Sequence, residues 1–475
     1  MFLHSFSFLV LFLGTFFLYY LCSDDYKKQN VILVLASYIF YGFANLKMIP
    51  LLLGASVVFY TLALWLKDQM AKDNTKAASC ISILGVLLGV GLLLFFKYLN
   101  FFADSFVTLL SRIGLKVSWT TLNIILPVGV SFYAFKLISY IIEVHRAHIE
   151  PCKDFIQFGT YIAFFPTILS GPIDRPNSFL PQLSQARVFS YAKATDGCRQ
   201  ILWGFLQKTI ADTISIYVNQ VWDSDAISSL PVLALSAFLY SFQLYFDFAG
   251  YSNMAIGFSK NLGIDVACNF NYPYFARCLS EFWRKWHMSL TSWLTDYIFI
   301  PLGGNRKGRF RTMLNTLIVF GLCGLWHGAN WTFVLWGLYC GICMSIASLY
   351  SKSKEKWKRT PVQFDLENVS HIVCVFIVVS IGWILFRADS IKQILAISNA
   401  LITKPVDLSL LVIPKRALLL VIMAVTMEWH QRNKEHPLQI ENVRGKWIRP
   451  AVYYTIAVLV LILGTQNETF IYAQF

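Results

Sequence analysis

The sequence predicts an all-α polytopic membrane protein, and three observations carry that prediction. Of its 475 residues 56% are hydrophobic and only 14% are charged, whereas an ordinary soluble domain carries roughly 25% charged residues. The mean hydropathy is +0.56, and apolar runs of membrane-spanning length recur along the chain. The same composition excludes intrinsic disorder, and the 26 Gly and 15 Pro exclude a collagen-like repeat.

We expect about 11–13 spanning or re-entrant helices, because each span needs roughly 20 mostly apolar residues. Some runs are broken by Pro and Gly, as at Pro127–Gly129 and Ser170–Pro172, and such breaks suit backbone that is buried in protein or lines a cavity. The candidate spans lie at 6–22, 30–46, 48–66, 79–96, 122–142, 154–170, 198–218, 230–248, 312–326, 331–350, 368–386, 409–427 and 450–467.

The basic residues predict the orientation of these helices. The net charge of +14 fits cytoplasmic loops that face anionic lipid, so we expect membrane lipid and no nucleic acid as a partner. The first apolar run is followed, not preceded, by basic residues, which favours a retained span over a signal peptide. Both termini are then predicted outside. The predicted cytoplasmic segments are Lys27–Lys28, Lys67–Lys76, Arg306–Arg311, Lys352–Arg359 and Arg432–Arg449.

The chain is predicted to form a single membrane domain over 1–475, with its catalytic centre at 251–330 and a last span and outward tail at 450–475. The stretch after residue 251 is less apolar than its neighbours and rich in Trp, Arg and His. The ten cysteines lie mostly in apolar runs, and the C-x-x-C pair Cys340 and Cys343 has no second pair to complete a zinc site. We therefore predict small core residues, no metal and no permanently bound cofactor.

His327 is the first candidate for catalysis. It stands in the segment GLWHGAN at 324–330, at the predicted turn between two apolar helices. An ionisable side chain at membrane depth is costly and usually belongs to a cavity or pathway, and a near-neutral imidazole suits proton removal from a hydroxyl nucleophile. The flanking glycines would let a substrate approach the backbone closely. The alternative is a histidine that only makes helix–helix hydrogen bonds.

His287 lies in the segment EFWRKWH at 281–287. On a helix, Trp283, Trp286 and His287 share one side, and the two cations between the tryptophans turn toward phosphate or solvent. Because Trp with Arg and Lys is a usual anchor at the membrane surface, the pattern by itself favours an anchor over a catalytic role.

Three other features keep two interpretations open. The basic, glycine-rich turn GGNRKG at 303–308 either receives an anionic donor or is a plain cytoplasmic loop, since it lacks the nucleotide-binding fingerprint. Asp247 ends a predicted apolar span, where it either orients a base or caps the next helix. Tyr472, near the predicted outer C-terminus, is either an interfacial belt residue or a phenol that carries an acyl group as a relay.

Three segments together resemble the membrane-bound O-acyltransferase (MBOAT) family, in particular its bacterial branch that acylates cell-surface polymers. They are QLYFDFAGYSNMAIG at 243–257, EFWRKWHMSLTSWLTDYIFIPLGGNR at 281–306 and GLWHGAN at 324–330. Their order and spacing fit, and the likeness runs from the first span to at least Arg387. The resemblance implies a helical body with a central tunnel, a catalytic His327 and a site role for His287.

The resemblance also implies the reaction. We expect an inner-membrane O-acetyltransferase that takes an acetyl group from a cytoplasmic thioester, acetyl-CoA, with His327 as general base on the acceptor hydroxyl. The expected donor-binding residues are Arg306, Arg309, Asn305 and Trp283.

The tail adds a narrower likeness. In the related D-alanylation system a small separate partner ends in an aromatic-rich motif whose Tyr is proposed to receive the acyl group, and Phe470–Phe475 is similar. Tyr472 is then a candidate relay toward a periplasmic partner of the acetyltransferase or esterase type, which would carry the group to a polysaccharide.

Two acceptors fit the sequence. The short C-terminus at the aromatic motif favours peptidoglycan, and alginate or another exported polysaccharide is the alternative. A membrane transporter or flippase predicts paired internal repeats, of which the sequence has no convincing example. A lipid or protein acyltransferase of the same superfamily needs a tunnel wide enough for a long chain.

Overall fold

The computed structural model confirms the all-α fold. It describes residues 2–115, 119, 121–122, 124–223, 229–350, 365–403, 406–441, 443, 445 and 447–464, and within these ranges the regular structure is helical, without a strand. Tyr472, the rest of the tail at 465–475 and the basic segment 352–359 lie outside the described residues.

Most of the helices coincide with predicted apolar runs, and further short helices lie between them. In chain order those described are α1 (Phe6–Leu21), α2 (Tyr26–Asn45), α3 (Ile49–Ala71), α4 (Thr75–Leu93), α5 (Leu99–Arg112), α6 (Val130–His145), α7 (Phe155–Ala163), α8 (Pro176–Leu183), α9 (Tyr191–Trp222), α10 (Leu230–Asn261), α11 (Leu279–Trp283), α12 (Met288–Leu294), α13 (Gly308–His327), α14 (Trp331–Tyr350), α15 (Leu366–Arg387), α16 (Ile391–Thr403), α17 (Lys415–His430) and α18 (Ile448–Leu463).

Five helical stretches within the described residues are long and apolar enough to cross a membrane. This finding supports a multi-pass membrane protein, while the expected 11–13 helices and the central tunnel stay predictions. Three shorter apolar helices, α1, α16 and α18, accompany them. The five stretches are Tyr26–Ala71, Thr75–Arg112, Leu230–Asn261, Trp331–Leu349 and Leu366–Arg387.

Side-chain caps set the first helix starts. Ser5 Oγ accepts a hydrogen bond from the Phe8 N–H at 3.2 Å, and Asp25 Oδ1 accepts one from the Lys27 N–H at 2.9 Å. Such caps satisfy N–H groups that have no partner in the first helical turn. They explain why α1 and α2 begin at residues 6 and 26.

The predicted break at Pro127–Gly129 is confirmed. Gly129 adopts φ +74° at the start of α6, a left-handed conformation that costs glycine little. A Cβ there would overlap the carbonyl oxygen of Ile168. The predicted span 122–142 is therefore helical only from Val130.

The predicted span 154–170 is wrong in its second half. Helix α7 ends at Ala163, and the chain then turns, with the Thr167 N–H donating to Phe164 O at 3.0 Å. Pro166 explains the end, because a proline disfavours helix in the residue before it. Nine residues of helix rise only about 13 Å, far less than a hydrocarbon core of roughly 30 Å.

The described chain divides into two compact units, Met1–Cys198 with Ala255–Ala267, and Arg199–Met254 with Cys268–Phe475. We call them unit 1 and unit 2. The single-domain assignment over 1–475 stays a prediction.

Unit 1 is packed around Phe8. Its ring centroid lies 4.8 Å from that of Phe258, 5.6 Å from Phe40 and 5.9 Å from Phe165. Edge-on and tilted contacts of this kind are favourable between aromatic rings. They bring α1, α2 and the end of α10 onto the turn after α7.

Unit 2 is organised by the antiparallel hairpin of α13 and α14. At Gly324 a Cβ would overlap the carbonyl oxygen of Phe333, and at Gly337 it would overlap that of Phe320. Small residues at such a crossing let two helix backbones approach closely. This contact holds the end of α13 at a defined place.

Candidate active site

His327 is the last residue of α13, and a turn of three residues, 328–330, joins it to α14. Asn330 fixes that turn, since its Oδ1 accepts from the Thr332 N–H at 3.1 Å and its Nδ2 donates to Asp389 O at 2.8 Å. The predicted helical hairpin with its turn at 326–330 is confirmed, and the turn holds His327 with a side chain only 3% exposed.

The glycines around His327 serve packing. The space beside Gly324 is filled by α14, and a Cβ on Gly328 would overlap the ring of Phe333. The protein's own backbone and side chains therefore occupy the space on the Cβ side of these glycines, and the expected close approach of a substrate stays a prediction.

His287 does not lie on a continuous helix. Helix α11 ends at Trp283, and His287 itself adopts φ +45° and ψ +52°, a left-handed conformation at the start of α12. Histidine is among the non-glycine residues that tolerate this region. The helical alignment of Trp283, Trp286 and His287 expected from the sequence is therefore wrong.

The expected surface anchor at 281–287 is also wrong. Trp286 and His287 are 1% and 2% exposed, and Arg284 is the one exposed residue of the segment 281–287. Trp286 packs against Trp383, with 4.9 Å between ring centroids. The tryptophan therefore belongs to the interior of unit 2.

The two histidines lie together. Their ring centroids are 6.5 Å apart, and Phe248 meets His287 edge-on at 4.6 Å. His327 is in contact with Trp336 at 5.1 Å and with Phe386 at 5.3 Å. We call this group the histidine pocket. The surrounding rings lower the local dielectric constant, which strengthens electrostatic interactions with the two buried imidazoles.

Asn269 positions the turn at His287, and no feature of the sequence pointed to it. Asn269 is fully buried; its carbonyl accepts from the Met288 N–H at 2.9 Å, and its Oδ1 accepts from Ser289 Oγ at 2.6 Å. Its Nδ2 donates to Ser252 Oγ at 3.0 Å. No motif marks such a residue, because its role depends on the fold that brings 268–271 beside 285–288.

Asp247 is neither a helix cap nor the end of a helix. It lies inside α10 and is 1% exposed. Its Oδ1 lies 2.9 Å from Lys208 Nζ, which also reaches Asp212 Oδ1 at 2.7 Å. The cap interpretation is therefore wrong, and the carboxylate belongs to a buried ion cluster between α9 and α10.

The four expected donor-binding residues separate into two groups. Asn305, Arg306 and Arg309 are exposed at the start of α13, whereas Trp283 is buried against Trp336, with 6.0 Å between centroids. Helix α13 has 20 residues and is about 30 Å long at 1.5 Å per residue. The cations therefore lie one helix length from His327, while Trp283 lies beside the histidine pocket.

The cysteines are all free thiols. Only three of them, Cys152, Cys323 and Cys340, are buried. The prediction that the cysteines are small core residues is therefore confirmed for these three alone. Within the described residues no group of three His, Cys, Asp or Glu side chains is placed to hold a metal ion.

Comparison with known proteins identifies the family. The model described as "MBOAT, membrane-bound O-acyltransferase family" matches residues 152–364, which include both histidines. A probable alginate O-acetylase AlgI of Pseudomonas putida is 37% identical over 387 residues, covering 81% of this chain and 76% of that protein. The chain belongs to the membrane-bound O-acyltransferase family.

Two further relatives show the range of this MBOAT chain's similarities. A peptidoglycan O-acetyltransferase of Helicobacter pylori is 32% identical over 426 residues, 83% of this chain and 78% of that protein. A teichoic acid D-alanyltransferase of Bacillus subtilis is 30% identical over 277 residues, 56% of this chain and 69% of that protein. The chain is thus an MBOAT acyltransferase, akin to O-acetyltransferases that act on cell-surface polymers.

Proposed function

We propose that this MBOAT protein moves an acetyl group from a cytoplasmic thioester across the inner membrane for O-acetylation of a cell-envelope polysaccharide, with peptidoglycan as the acceptor. Both termini face the periplasm in this proposal. The observation that carries it is the histidine pocket, where two buried imidazoles lie 6.5 Å apart between centroids.

His327 acts as the general base. Its imidazole takes the proton of the acceptor hydroxyl as the oxygen attacks the thioester carbonyl carbon, and the carbon–sulfur bond then breaks. The imidazolium then gives this proton to the leaving thiolate, which departs as the free thiol, so no net proton is consumed. The enclosing rings of Trp336 and Phe386 keep water from competing with the acceptor.

Acetyl-CoA is the proposed donor. Its phosphates suit the exposed cations Arg306 and Arg309, which form charge-assisted hydrogen bonds to phosphate. Because these cations lie about 30 Å from His327 along α13, the thioester has to reach along that helix. In this arrangement Trp283 lies beside the thioester end of the donor, and Asn305 lies beside its nucleotide end.

Tyr472 is the proposed relay. Coenzyme A is charged and does not cross a bilayer, whereas an acetyl group is small and neutral, so a phenol ester on the outer side would pass the acetyl group on. A periplasmic partner of the acetyltransferase or esterase type would then carry it to the polymer. Replacing Tyr472 by Phe is expected to stop polymer acetylation, and unchanged acetylation would remove the relay.

Alginate is the second candidate acceptor. It is favoured by the 37% identity to the alginate O-acetylase of Pseudomonas putida, against 32% to the peptidoglycan O-acetyltransferase of Helicobacter pylori. The peptidoglycan relative aligns over more residues, 426 against 387.

The deciding experiment is mass analysis of both polymers from cells that carry the protein, lack it, or carry His327→Ala. Ester-linked acetyl groups are expected on peptidoglycan only with the intact protein. Acetylation confined to the exported polysaccharide would replace the first acceptor by the second. Near-normal acetylation with His327→Ala, at equal protein abundance, would contradict the assignment of the base.

A further inference from the structure

An apolar groove runs between α10, α15 and α17 in unit 2. Its cavity volume is about 830 Å³. The floor is buried and includes Leu233, Ala237 and Phe242, while rim residues such as Val373 and Ile377 are 49% and 52% exposed. Since α10 and α15 are candidate membrane spans, we expect this half-exposed rim to face lipid.

The polar groups in its wall are bonded to the protein itself. Ser380 Oγ accepts from Ser241 Oγ at 2.9 Å, and the Tyr274 hydroxyl donates to Ser241 O at 2.6 Å. Glu428 Oε1 accepts from the Tyr245 hydroxyl at 2.9 Å. The groove therefore offers a ligand mainly carbon atoms, and water, which needs two to four polar partners, does not suit it.

The dimensions fit lipid chains. Along α15 the lining runs from Ile372 to Ile384, about 18 Å at 1.5 Å per residue. One leaflet contributes about half of a hydrocarbon core of roughly 30 Å. A methylene takes about the volume of a water molecule, roughly 30 Å³, so the 830 Å³ of the groove accommodates most of the two acyl chains of one phospholipid.

We propose that the groove binds the acyl chains of one bilayer phospholipid as a resident ligand. The headgroup, which needs water, lies at the end lined by Leu230 and Leu401, which are 50% and 40% exposed, because Glu428 at the other end is only 3% exposed. The chain tips then lie near Val425 and Glu428.

This lipid site is separate from the histidine pocket. Ser380 and Ile384 of α15 line the groove, whereas Phe386 of the same helix contacts His327. A chain of aromatic rings links the two sites. Tyr274 lines the groove and lies 6.0 Å from Trp286 between centroids, and Trp383 lies 4.9 Å from Trp286 and 5.5 Å from Trp336. A bound lipid therefore supports the pocket without taking part in the reaction.

Photo-crosslinking tests the site. The full-length protein is placed in nanodiscs of phosphatidylethanolamine and phosphatidylglycerol that contain a phosphatidylglycerol with a diazirine in mid-chain, and the labelled peptides are mapped. Labelling is expected to concentrate on 230–242 and 372–384, well above that of α4, whose exposed Ile83 and Leu87 report ordinary contact with surrounding lipid.

Ile377→Trp fills the groove from its exposed rim without overpacking the floor. Displacing the contact of about two methylenes is expected to lower groove labelling roughly tenfold. The matched control is Ile342→Trp on α14, since Ile342 is 50% exposed and lies outside the groove; it is expected to leave labelling unchanged.

Two results would overturn the proposal: equal labelling of the groove and of α4, or an equal loss of groove labelling in the two tryptophan variants. Either result would mean that the probe reports only the lipid that surrounds the protein. Displacement of the probe by a long-chain acyl-CoA, with transfer of that chain, would also overturn it and make the groove a donor site. His327→Ala is expected to retain groove labelling. The lipid site and the proposed acetyl transfer are therefore tested independently.

Discussion

Two buried pairs of ionisable side chains, one in each unit, differ in what surrounds them. In unit 1, Lys136 Nζ donates to Tyr161 O at 3.2 Å and to Thr167 Oγ1 at 3.1 Å, and lies 4.0 Å from Asp174 Oδ2. Asp174 Oδ1 accepts from the Ala267 N–H at 2.9 Å. The pair therefore ties separate chain segments together.

In unit 2, by contrast, His287 and His327 lie among aromatic rings, with Phe248 at 4.6 Å from the first and Trp336 at 5.1 Å from the second. Aromatic surroundings have a low dielectric constant, which strengthens electrostatic interactions with the imidazoles. The contrast favours a structural role for Lys136 and Asp174 and supports the proposed role of His327 as general base.

The largest expected effect is on the structural pair. Asp174→Ala leaves the Lys136 ammonium buried without its carboxylate, and loss of one partner of a buried pair costs about 3–5 kcal/mol of unfolding free energy. The measurement is denaturant unfolding in mixed micelles.

Its matched control is Asp265→Ala. The Lys193–Asp265 pair has a shorter N–O distance, 2.7 Å, but its side chains are 44% and 62% exposed, and exposed pairs contribute about 0–1 kcal/mol. Equal losses in the two variants would contradict the structural role of the buried pair.

His287→Asn tests the chemical side of the comparison. Asparagine tolerates the left-handed conformation, so folding is expected to survive, while loss of an acid–base group lowers acetyl transfer about 100-fold or more. Transfer is measured from a labelled donor, alongside the thermal unfolding midpoint.

The control is His436→Asn, because His436 is equally buried, at 1% exposure, but belongs to another part of the chain. It is expected to keep normal transfer. If both variants lost the same activity, or if His287→Asn unfolded at a clearly lower temperature, His287 would be a structural residue like Lys136.

Gly324→Ala tests the close backbone contact that places His327 at the end of α13. The new methyl overlaps the carbonyl oxygen of Phe333, and overpacking of this kind costs about 1–3 kcal/mol. At Gly321, on the same helix, the nearest atom to a new Cβ is a side-chain carbon of Leu338 at 3.7 Å. Gly321→Ala is expected to be neutral or stabilising in thermal unfolding, and the reverse order would contradict the close crossing of α13 and α14.

Asn269→Ala is expected to cost about as much stability as Gly324→Ala. It removes hydrogen bonds that hold the turn at His287, at a cost of about 1–3 kcal/mol for buried groups left without partners, and acetyl transfer should fall further than stability alone explains. The neighbouring Asn271 is exposed, so Asn271→Ala is the control. Unchanged transfer in Asn269→Ala would show that the turn does not position His287.

Much of the fold was predictable because membrane spans leave a strong local signal. The apolar runs at 331–350 and 368–386 correspond to α14 (Trp331–Tyr350) and α15 (Leu366–Arg387). The hairpin turn at His327 was predictable for the same reason, since short polar breaks between long apolar runs are visible in composition. Helix α16 was missed, because its 13 residues are too few for that signal.

The errors arose where tertiary contacts override local pattern. Amphipathic spacing at 281–287 suggested a surface helix, yet Trp286 is buried against Trp383, a residue nearly 100 positions away. Asp247 looked like a cap because its pairing with Lys208 cannot be read from neighbouring residues. Spacing along one segment carries no information about which distant segment will cover it.

The sequence alone determined the membrane class, most helices and the candidacy of His327, because hydropathy and a rare ionisable residue are local properties. Only the tertiary structure decided that His287 lies beside His327, that Asn269 holds its turn, and that Arg306 and Arg309 lie a helix length away. Those relations are distances between segments far apart in the chain, set by helix packing and not by any residue's own preference.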